Sequence, residues 1–337
     1  MDLDVLLPFH RVDKYFKEAI ESLSNTQGVS FNVILIDDRL DKSENILKQI
    51  NALKNFIIVE TEGQQGYGLA LKAGSAHIKA DSVALFNSDD LMHSLRFKKQ
   101  LQKLENFDLN ITKMKRINSS SKQTISLAGE ICSSNYDSIY LIFGSYGANA
   151  TWCMKSSWWH ENAFFDNKAC LDWRIALNTF DKTKISFTSE YLYSYRKHEN
   201  QITNQKNVSK KYMLPVFNDW NKFLATHNLA SYSYETFLSI AAPWITPDPL
   251  SKVEIKKFYM DISNQLPAVR TEVAKDLRSL IQKRMIFSLR AQSDISLKTW
   301  LAFNGKHQIP SITRDLLIRK LGIRKFGVRI PAGAPKI

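Results

Sequence analysis

Four consecutive polar residues, Asn87-Ser88-Asp89-Asp90, carry the clearest chemical signal in the sequence. They follow a short apolar run at 82–86, which is typical of a buried strand. Two carboxylates at a strand end suit Mg²⁺ or Mn²⁺, because these hard ions take a few carboxylate oxygens and complete their shell with substrate phosphates. The same aspartates could instead cap the next helix, so the local sequence leaves both roles open.

Two further polar clusters also follow apolar runs. His10-Arg11 comes after residues 3–8, and Asp37-Asp38 comes after residues 31–36, a nearly all-apolar run of the kind that both faces of a parallel sheet bury. In open α/β sheets, ligands bind beyond the carboxyl ends of the strands. We therefore expect the three clusters to form one site.

Alternating strand and helix patterns define the elements that position this site. Strands are predicted at 3–8, 31–36, 56–61, 82–86, 109–117, 124–128 and 184–188, and helices at 12–23, 43–53, 68–79, 171–177, 214–224 and 253–262. Repeated βα units of this length predict an α/β fold, a mostly parallel sheet with right-handed crossovers and flanking helices, followed by a helical C-terminal region.

Five segments, in this order along residues 2–205, resemble family 2 glycosyltransferases of the GT-A fold. They are PFHRVDKYFKEAIESL, VILIDDRLDKS, GLALKAGSAHIKADSVALFNSDDL, CLDWRIAL and YRKHENQIT. The resemblance implies a catalytic domain at 1–205, an inverting sugar transfer and a nucleotide-sugar donor, most typically a UDP-sugar.

The resemblance also implies a donor site. Pro8 and His10 would line the nucleotide pocket, and Asp38 would accept a hydrogen bond from the base. Asn87, in the first position of the family's DxD motif, would contact the ribose. Ser88 and Lys72 are assigned to the same donor site.

By the same resemblance, Asp89 would hold Mn²⁺ or Mg²⁺, Asp90 is a second candidate ligand, and His198 would approach the ion or the diphosphate. Asp172 would be the general base that takes the proton of the acceptor hydroxyl. Trp152 and Trp173 are assigned to the acceptor wall, since sugars stack on aromatic faces, although ordinary core packing is the alternative for these tryptophans.

The sequence departs from the family at three positions. Asn87 replaces one carboxylate of the DxD motif, Leu171 replaces one member of the catalytic acidic pair, and Lys72 stands where the family often has asparagine. Gly63, Gly66 and Gly68 do not form GxGxxG, so we expect a loop over the donor rather than a dinucleotide site.

The net charge of +13 lies entirely in the C-terminal part. Residues 1–205 hold 24 basic and 24 acidic residues, whereas 206–337 hold 22 and 9. This contrast predicts a separate basic region at 206–337 whose partner is an anionic surface. The run at 314–329 could bind the membrane surface, dock on protein or form a solvated tail. Nucleic acid is not expected, because no binding module is recognisable.

The remaining features predict a cytoplasmic protein, with contact to the inner face of the membrane as an option. The N-terminal residues do not resemble a signal peptide, and no run of 18 apolar residues is present. Three cysteines, Cys132, Cys153 and Cys170, lack metal-ligand spacing and read as reduced thiols. The helical C-terminal region is a natural place for self-association.

Together with these residues, the resemblance thus implies an inverting, metal-dependent glycosyltransferase that extends a bacterial surface glycan such as a capsule or lipopolysaccharide, with a glycan or lipid-linked glycan as acceptor. Two alternatives stay open. One is a catalytically weak protein that binds a nucleotide-sugar, since both acidic motifs are reduced. The other is a sugar nucleotidyltransferase, although residues 8–16 lack the glycine-rich loop that such enzymes carry after the first strand.

Overall fold

The computed structural model describes residues 1–43, 46–124, 138–166, 170–199, 201, 210–240, 257–258 and 261–262. The chain forms two compact units, Met1–Ser288 and Leu289–Ile337, and all described residues belong to the first. The run at 314–329, Cys132, residues 125–128 of a predicted strand and most of the predicted helix at 253–262 lie outside the described residues. The domain boundary near 205 stays a prediction.

One eight-stranded sheet organises the described part of the chain, with flanking helices. Its strands are β1 (Leu3–Phe9), β2 (Phe31–Asp37), β3 (Phe56–Glu60), β4 (Ser82–Leu85), β5 (Leu91–Met92), β6 (Leu109–Asn118), β7 (Trp152–Lys155) and β8 (Ile185–Lys197). The helices are α1 (Lys14–Ser24), α2 (Tyr67–Ser75), α3 (Arg96–Leu104), α4 (Ser156–Asn162), α5 (Leu171–Thr179), α6 (Lys210–Thr226) and α7 (Tyr234–Ile240). The predicted α/β class is confirmed.

The strand order is β3-β2-β1-β4-β7-β6-β8-β5. The first four strands in this order are parallel, as the βα pattern predicts. Strand β7 then runs antiparallel to both β4 and β6, while β8 runs parallel to β6 and antiparallel to β5. The sheet is therefore parallel on the side that contains β1 and mixed on the other.

The apolar runs of β1 and β2 are buried because helices cover the sheet. In β1 all seven residues are buried, and β2 is buried from Val33 to Asp37. Helix α1 begins after Asp13, whose side chain accepts hydrogen bonds from the backbone N–H groups of Tyr15 and Phe16. The apolar stripe of α1 packs into the core that also contains the apolar side chains of β1.

The helix predicted at 43–53 is wrong for the described residues. The apolar spacing did identify buried positions, since Ile46, Ile50 and Leu53 lie in the core. They reach it through a 3₁₀ turn at Ile46–Lys48 and further single turns, because the backbone hydrogen bonds close after three or four residues without propagating. Short apolar patterns do not separate a helix from such turns.

No helix in the described part of the chain is long and apolar enough to cross a bilayer. Cys153 and Cys170 are free thiols. Helix α6, which lies beyond residue 205, contacts α5 through an ion pair of 2.8 Å between Arg174 Nε and Asp219 Oδ2. This contact bears on the site, because α5 also carries Asp172.

Candidate active site

The three polar clusters share one edge of the sheet. Strands β2, β1 and β4 are adjacent and parallel, so their carboxyl ends, followed by Asp38, His10 and Asn87, face the same side. His10 is exposed and Pro8 is buried within β1. Desolvation and the neighbouring Arg11 charge lower the pKa of His10.

The Asp37-Asp38 pair fixes the loop after β2. Arg39 donates from Nε and Nη2 to the Asp37 carboxylate, at 2.9 and 2.8 Å. Asp38 is 5% exposed and accepts the hydroxyl of Thr61 at 2.6 Å and the backbone N–H groups of Gln65 and Gly66, each at 3.0 Å. Asp38 therefore holds the loop at 63–68, called the glycine-rich loop below, in place. The predicted contact of Asp38 with a nucleotide base stays a prediction.

The glycine-rich loop itself needs two of its glycines. Gly63 has a φ of +88°, and a Cβ there would lie 2.6 Å from the carbonyl oxygen of Arg39. A Cβ on Gly68, in the first turn of α2, would overlap the carbonyl oxygen of Asp166. The loop thus packs backbone to backbone against the segments at 39–40 and 166. Lys72, assigned to the donor site, is exposed on α2.

Asp90 is buried, and both its carboxylate oxygens accept protein donors. The Tyr193 hydroxyl donates at 2.7 Å and the Asn87 amide at 3.1 Å to Oδ2, while the backbone N–H of Arg196 donates at 2.7 Å to Oδ1. Burial, and next the charge of Asp89, raise the pKa of Asp90 well above its usual value. This placement does not support Asp90 as a metal ligand, because its oxygens are already engaged in the protein interior.

Asp89 and His198 come together where the ion was predicted. His198 Nε2 lies 3.0 Å from Asp89 Oδ2, and the Asp89 side chain is 31% exposed. The His198 ring packs against Tyr15 of α1 with centroids 4.6 Å apart. The described residues contain no cluster of three or more His, Cys, Asp or Glu side chains arranged for a metal.

A single carboxylate and an imidazole fit only an ion whose remaining ligands come from elsewhere. Mg²⁺ and Mn²⁺ in nucleotide sites are commonly of this kind, held by one or two carboxylates and by substrate phosphates. Among the described residues, Asp89 and His198 could hold such an ion if it took the place of the present contact between His198 Nε2 and Asp89 Oδ2.

Arg196 ties this region together, and sequence reasoning assigned it no role. Its side chain is fully buried, and Nε donates to the backbone oxygen of Asp89 at 2.8 Å. Nη2 pairs with Glu18 of α1 at 2.5 Å, and Nη1 donates to Ser121 at 2.9 Å. The available signal was its position between Tyr195 and His198 in the closing segment.

Asp172 lies in the first turn of α5, after Cys170, which adopts a left-handed φ of 55°. Burial raises the pKa of Asp172 to about 6, although backbone hydrogen bonds from Trp173 and Asn149 act in the opposite direction. A carboxyl with a pKa near neutrality is suited to general-base chemistry. Sequence reasoning missed Tyr67, whose hydroxyl is buried; burial, and next the charge of Asp172, raise the pKa of this hydroxyl.

Trp152 and Trp173 do not line an open surface. Trp152 is 0% exposed and donates from Nε1 to the Gly147 carbonyl at 3.1 Å. Trp173 is 2% exposed, donates to the Leu141 carbonyl at 2.7 Å and stacks on Phe237. The predicted acceptor contact is therefore not supported for either residue, and core packing explains both. Ser88 is half-buried in the turn before Asp89.

Comparisons with known proteins identify the family and the fold of the chain. The family model "Glycosyl transferase family 2" matches residues 4–187. A related protein from Methanocaldococcus jannaschii, the uncharacterized glycosyltransferase MJ1057, is 28% identical over 105 residues, which span 30% of this chain and 36% of that protein.

Solved structures of the same fold include S. aureus TarS 1-349 in complex with UDP-GlcNAc, with a TM-score of 0.53, 16% identity and coverage of 87% of this chain and 90% of that one. A second is the mannosyltransferase PcManGT from Pyrobaculum calidifontis in complex with GDP-Man and Mn²⁺, with a TM-score of 0.51, 10% identity and coverage of 86% of each chain. At these identities the likeness establishes the GT-A type of fold alone. Since the family model covers more than half of the sequence, the chain belongs to glycosyl transferase family 2.

Proposed function

We propose that this protein transfers a sugar from a UDP-sugar to a hydroxyl group of a bacterial surface glycan, with inversion at the anomeric carbon. The observation that carries the proposal is the position of Asp172. It is a carboxyl with a pKa of about 6, raised by burial, in the same protein unit as the Asp89–His198 pair. One base and one phosphate-facing ion site are what a one-step displacement requires.

In the proposed reaction Asp172 takes the proton of the acceptor hydroxyl as that oxygen attacks the anomeric carbon. The bond between the anomeric carbon and the diphosphate oxygen breaks, and the nucleoside diphosphate leaves with the electron pair. Asp89 and His198 would hold Mn²⁺ or Mg²⁺, which when bound neutralises charge on the diphosphate. Asp90 is left out of this set, because it holds the turn from inside.

The donor contacts are proposed on the same basis. Pro8 and His10 end β1 beside the loop that Asp38 fixes, which supports a nucleotide pocket at this edge. Asn87 is half-buried in the turn before Asp89 and would contact the ribose. For the acceptor we name a class only, a glycan or lipid-linked glycan.

A donor screen tests the proposal. The purified protein is incubated with UDP-, GDP-, dTDP- and CMP-sugars with and without Mn²⁺, and the released nucleotide is measured. We expect metal-dependent release of UDP that is lost in Asp172→Asn and Asp89→Ala. Binding of the same donors is followed in parallel by thermal shift, because hydrolysis without an acceptor is slow. Neither release nor stabilisation by any nucleotide-sugar would refute the proposal.

A second candidate, a nucleotide-sugar-binding protein with little turnover, is favoured by one observation. With Asp90 engaged in the interior, Asp89 is the single carboxylate of the DxD turn that faces the ion site. Such a protein would be stabilised by a UDP-sugar and yet release no UDP in the presence of any glycan acceptor. Asp172→Asn would then leave every measured property of binding unchanged.

A further inference from the structure

Two polar side chains of α3, Arg96 and Gln100, are completely buried beneath the active site. They lie one helical turn apart, and Arg96 Nε donates to Gln100 Oε1 at 2.9 Å. Among the described residues, no carboxylate lies within ion-pair distance of Arg96, and its Nη1 makes no hydrogen bond. Burial lowers the pKa of Arg96 only to about 10, so the guanidinium is charged at neutral pH.

The Arg96 guanidinium connects two segments that are far apart in sequence. Its Nη2 donates to the carbonyl oxygen of Leu85, at the end of β4, at 3.1 Å. The same nitrogen donates to the carbonyls of Ala150 at 2.8 Å and Trp152 at 3.3 Å. Leu85 is followed two residues later by the turn that carries Asp89, so one group holds that strand end against the segment at 150–152.

Gln100 completes the same attachment. Its Nε2 donates to the carbonyl of Thr151 at 3.0 Å and to the Asn110 carbonyl and side-chain oxygens, each at 3.1 Å. Three successive carbonyls, those of residues 150, 151 and 152, are thus held by two side chains of one helix. We call Arg96 and Gln100 together the carbonyl clamp.

The clamped segment adjoins the base. Asn149 directly precedes it, and three residues earlier the hydroxyl of Tyr146 donates to the carbonyl of Ala176 in α5 at 3.4 Å. Burial raises the pKa of Asp172, and the backbone of Asn149 acts in the opposite direction. The titratable groups that face Asp172 are Tyr67 of α2 and Cys170 at the start of α5. The clamp therefore has the Asp89 turn on one side and the backbone donor of Asp172 on the other.

A buried guanidinium is an expensive way to fill this space. An apolar side chain of similar volume would avoid the desolvation cost of the charge, but it would leave the carbonyls of Leu85, Ala150 and Trp152 without this donor. What an apolar residue cannot do is hold three carbonyls from two segments at fixed distances. We propose that the carbonyl clamp positions Asp172 relative to the Asp89 turn, so that Arg96 and Gln100 are positioning residues for sugar transfer.

This inference rests on the proposed function for its kinetic consequence, but its structural consequence is measured without turnover. The variants are Arg96→Met, which removes the donors, Arg96→Lys, which keeps the charge, and Gln100→Leu. Leu104→Ala is the matched control, since Leu104 is buried on the same helix and takes no part in the hydrogen bonds of the clamp, so its loss should cost stability alone. In each variant the side-chain carboxyl of Asp172 is titrated by carbon NMR, and kcat and KM for the donor are measured against pH.

We expect Arg96→Met to raise the pKa of Asp172, because Asn149 loses its fixed position, and to move the acid limb of kcat upward with it. A misplacement of about 1 Å lowers a rate by about 100-fold, so kcat should fall by about that factor while UDP affinity stays within about twofold. Arg96→Lys should recover part of kcat, and Leu104→Ala should leave the pKa of Asp172 unchanged.

The proposal is overturned if folded Arg96→Met and Gln100→Leu keep the wild-type pKa of Asp172, or if Leu104→Ala shifts it equally. Should Arg96→Met not fold, Gln100→Leu and Arg96→Lys give the same readout. A wild-type protein that transfers no sugar refutes the proposed function, whereas the NMR titration still decides whether the clamp holds the base.

Discussion

Replacing Asp172 by asparagine should remove activity and stabilise the protein at the same time. Burial raises the pKa of Asp172 to about 6 from the 3.8 that is usual for an aspartate. This difference of about 2 pH units corresponds to about 3 kcal/mol by which the fold disfavours the ionised carboxylate, at 1.36 kcal/mol per unit. Asparagine has nearly the same shape and carries no charge, so the variant avoids that cost while losing the base.

The stabilisation must depend on pH in a defined direction. The unfolded chain releases the Asp172 proton near pH 4, whereas the folded protein holds it until about pH 6. Between these values the folded state binds more protons, so this residue makes wild-type stability fall as the pH rises. The free energy of unfolding of Asp172→Asn should therefore equal that of the wild type near pH 3.5 and exceed it by up to about 3 kcal/mol at pH 8.

Urea unfolding of both proteins at several pH values measures this difference, and UDP release measures activity. We expect kcat to fall by a factor of about 100 to 10,000 in Asp172→Asn. Asp181→Asn is the control, because Asp181 is an exposed acid just after α5 and its loss changes the net charge equally. A variant that is less stable than the wild type at pH 8, or one that retains kcat, would contradict the reasoning.

Three further substitutions have defined outcomes. Tyr193→Phe removes one donor from the buried Asp90 carboxylate and should cost about 2 kcal/mol of unfolding free energy, measured by urea titration at pH 8. Gly68→Ala places a methyl group on the Asp166 carbonyl and should cost about 1–3 kcal/mol. Gly74→Ala meets the side chain of Ile36 and not backbone, so it should cost less, and an equal loss in both variants would contradict the backbone contact. Arg196→Lys cannot contact Asp89, Glu18 and Ser121 together, so its melting temperature should fall and its requirement for Mn²⁺ should rise, while Lys197→Arg, at an exposed neighbouring position, should change neither.

The parallel part of the fold was predictable because burial leaves a simple mark on the sequence. The residues of β1 and β2 are apolar on both faces, and only a covered parallel sheet buries such runs. Strand β8 was predicted only as far as residue 188. Its second half alternates irregularly between buried and exposed residues, and its pairing with β6 shifts register near Lys113, so a period of two is lost.

The site was predictable where chemistry follows a strand end and not where it depends on tertiary contact. Asp89 and His198, which the family resemblance assigns to the same ion or diphosphate, have side chains 3.0 Å apart. Nothing in the residue type distinguishes Asp89 from Asp90, yet one is half-exposed and the other is closed in by Tyr193 and Arg196. The burial of Arg96 could not be predicted either, because it stands among charged residues on α3 and only the folded chain shows which face of that helix is covered.

Strand β8 also determines how far the chain can be shortened. The family pattern ends at residue 187, yet Tyr193 and Arg196, which hold Asp90 in place, come later in the same strand. Gln201 in turn donates to the carbonyl of Arg196. A fragment that ended at residue 187 would still bury Asp90 but would lack Tyr193 and Arg196, which donate hydrogen bonds to it. The smallest fragment that retains an intact Asp89 turn therefore has to extend past Gln201.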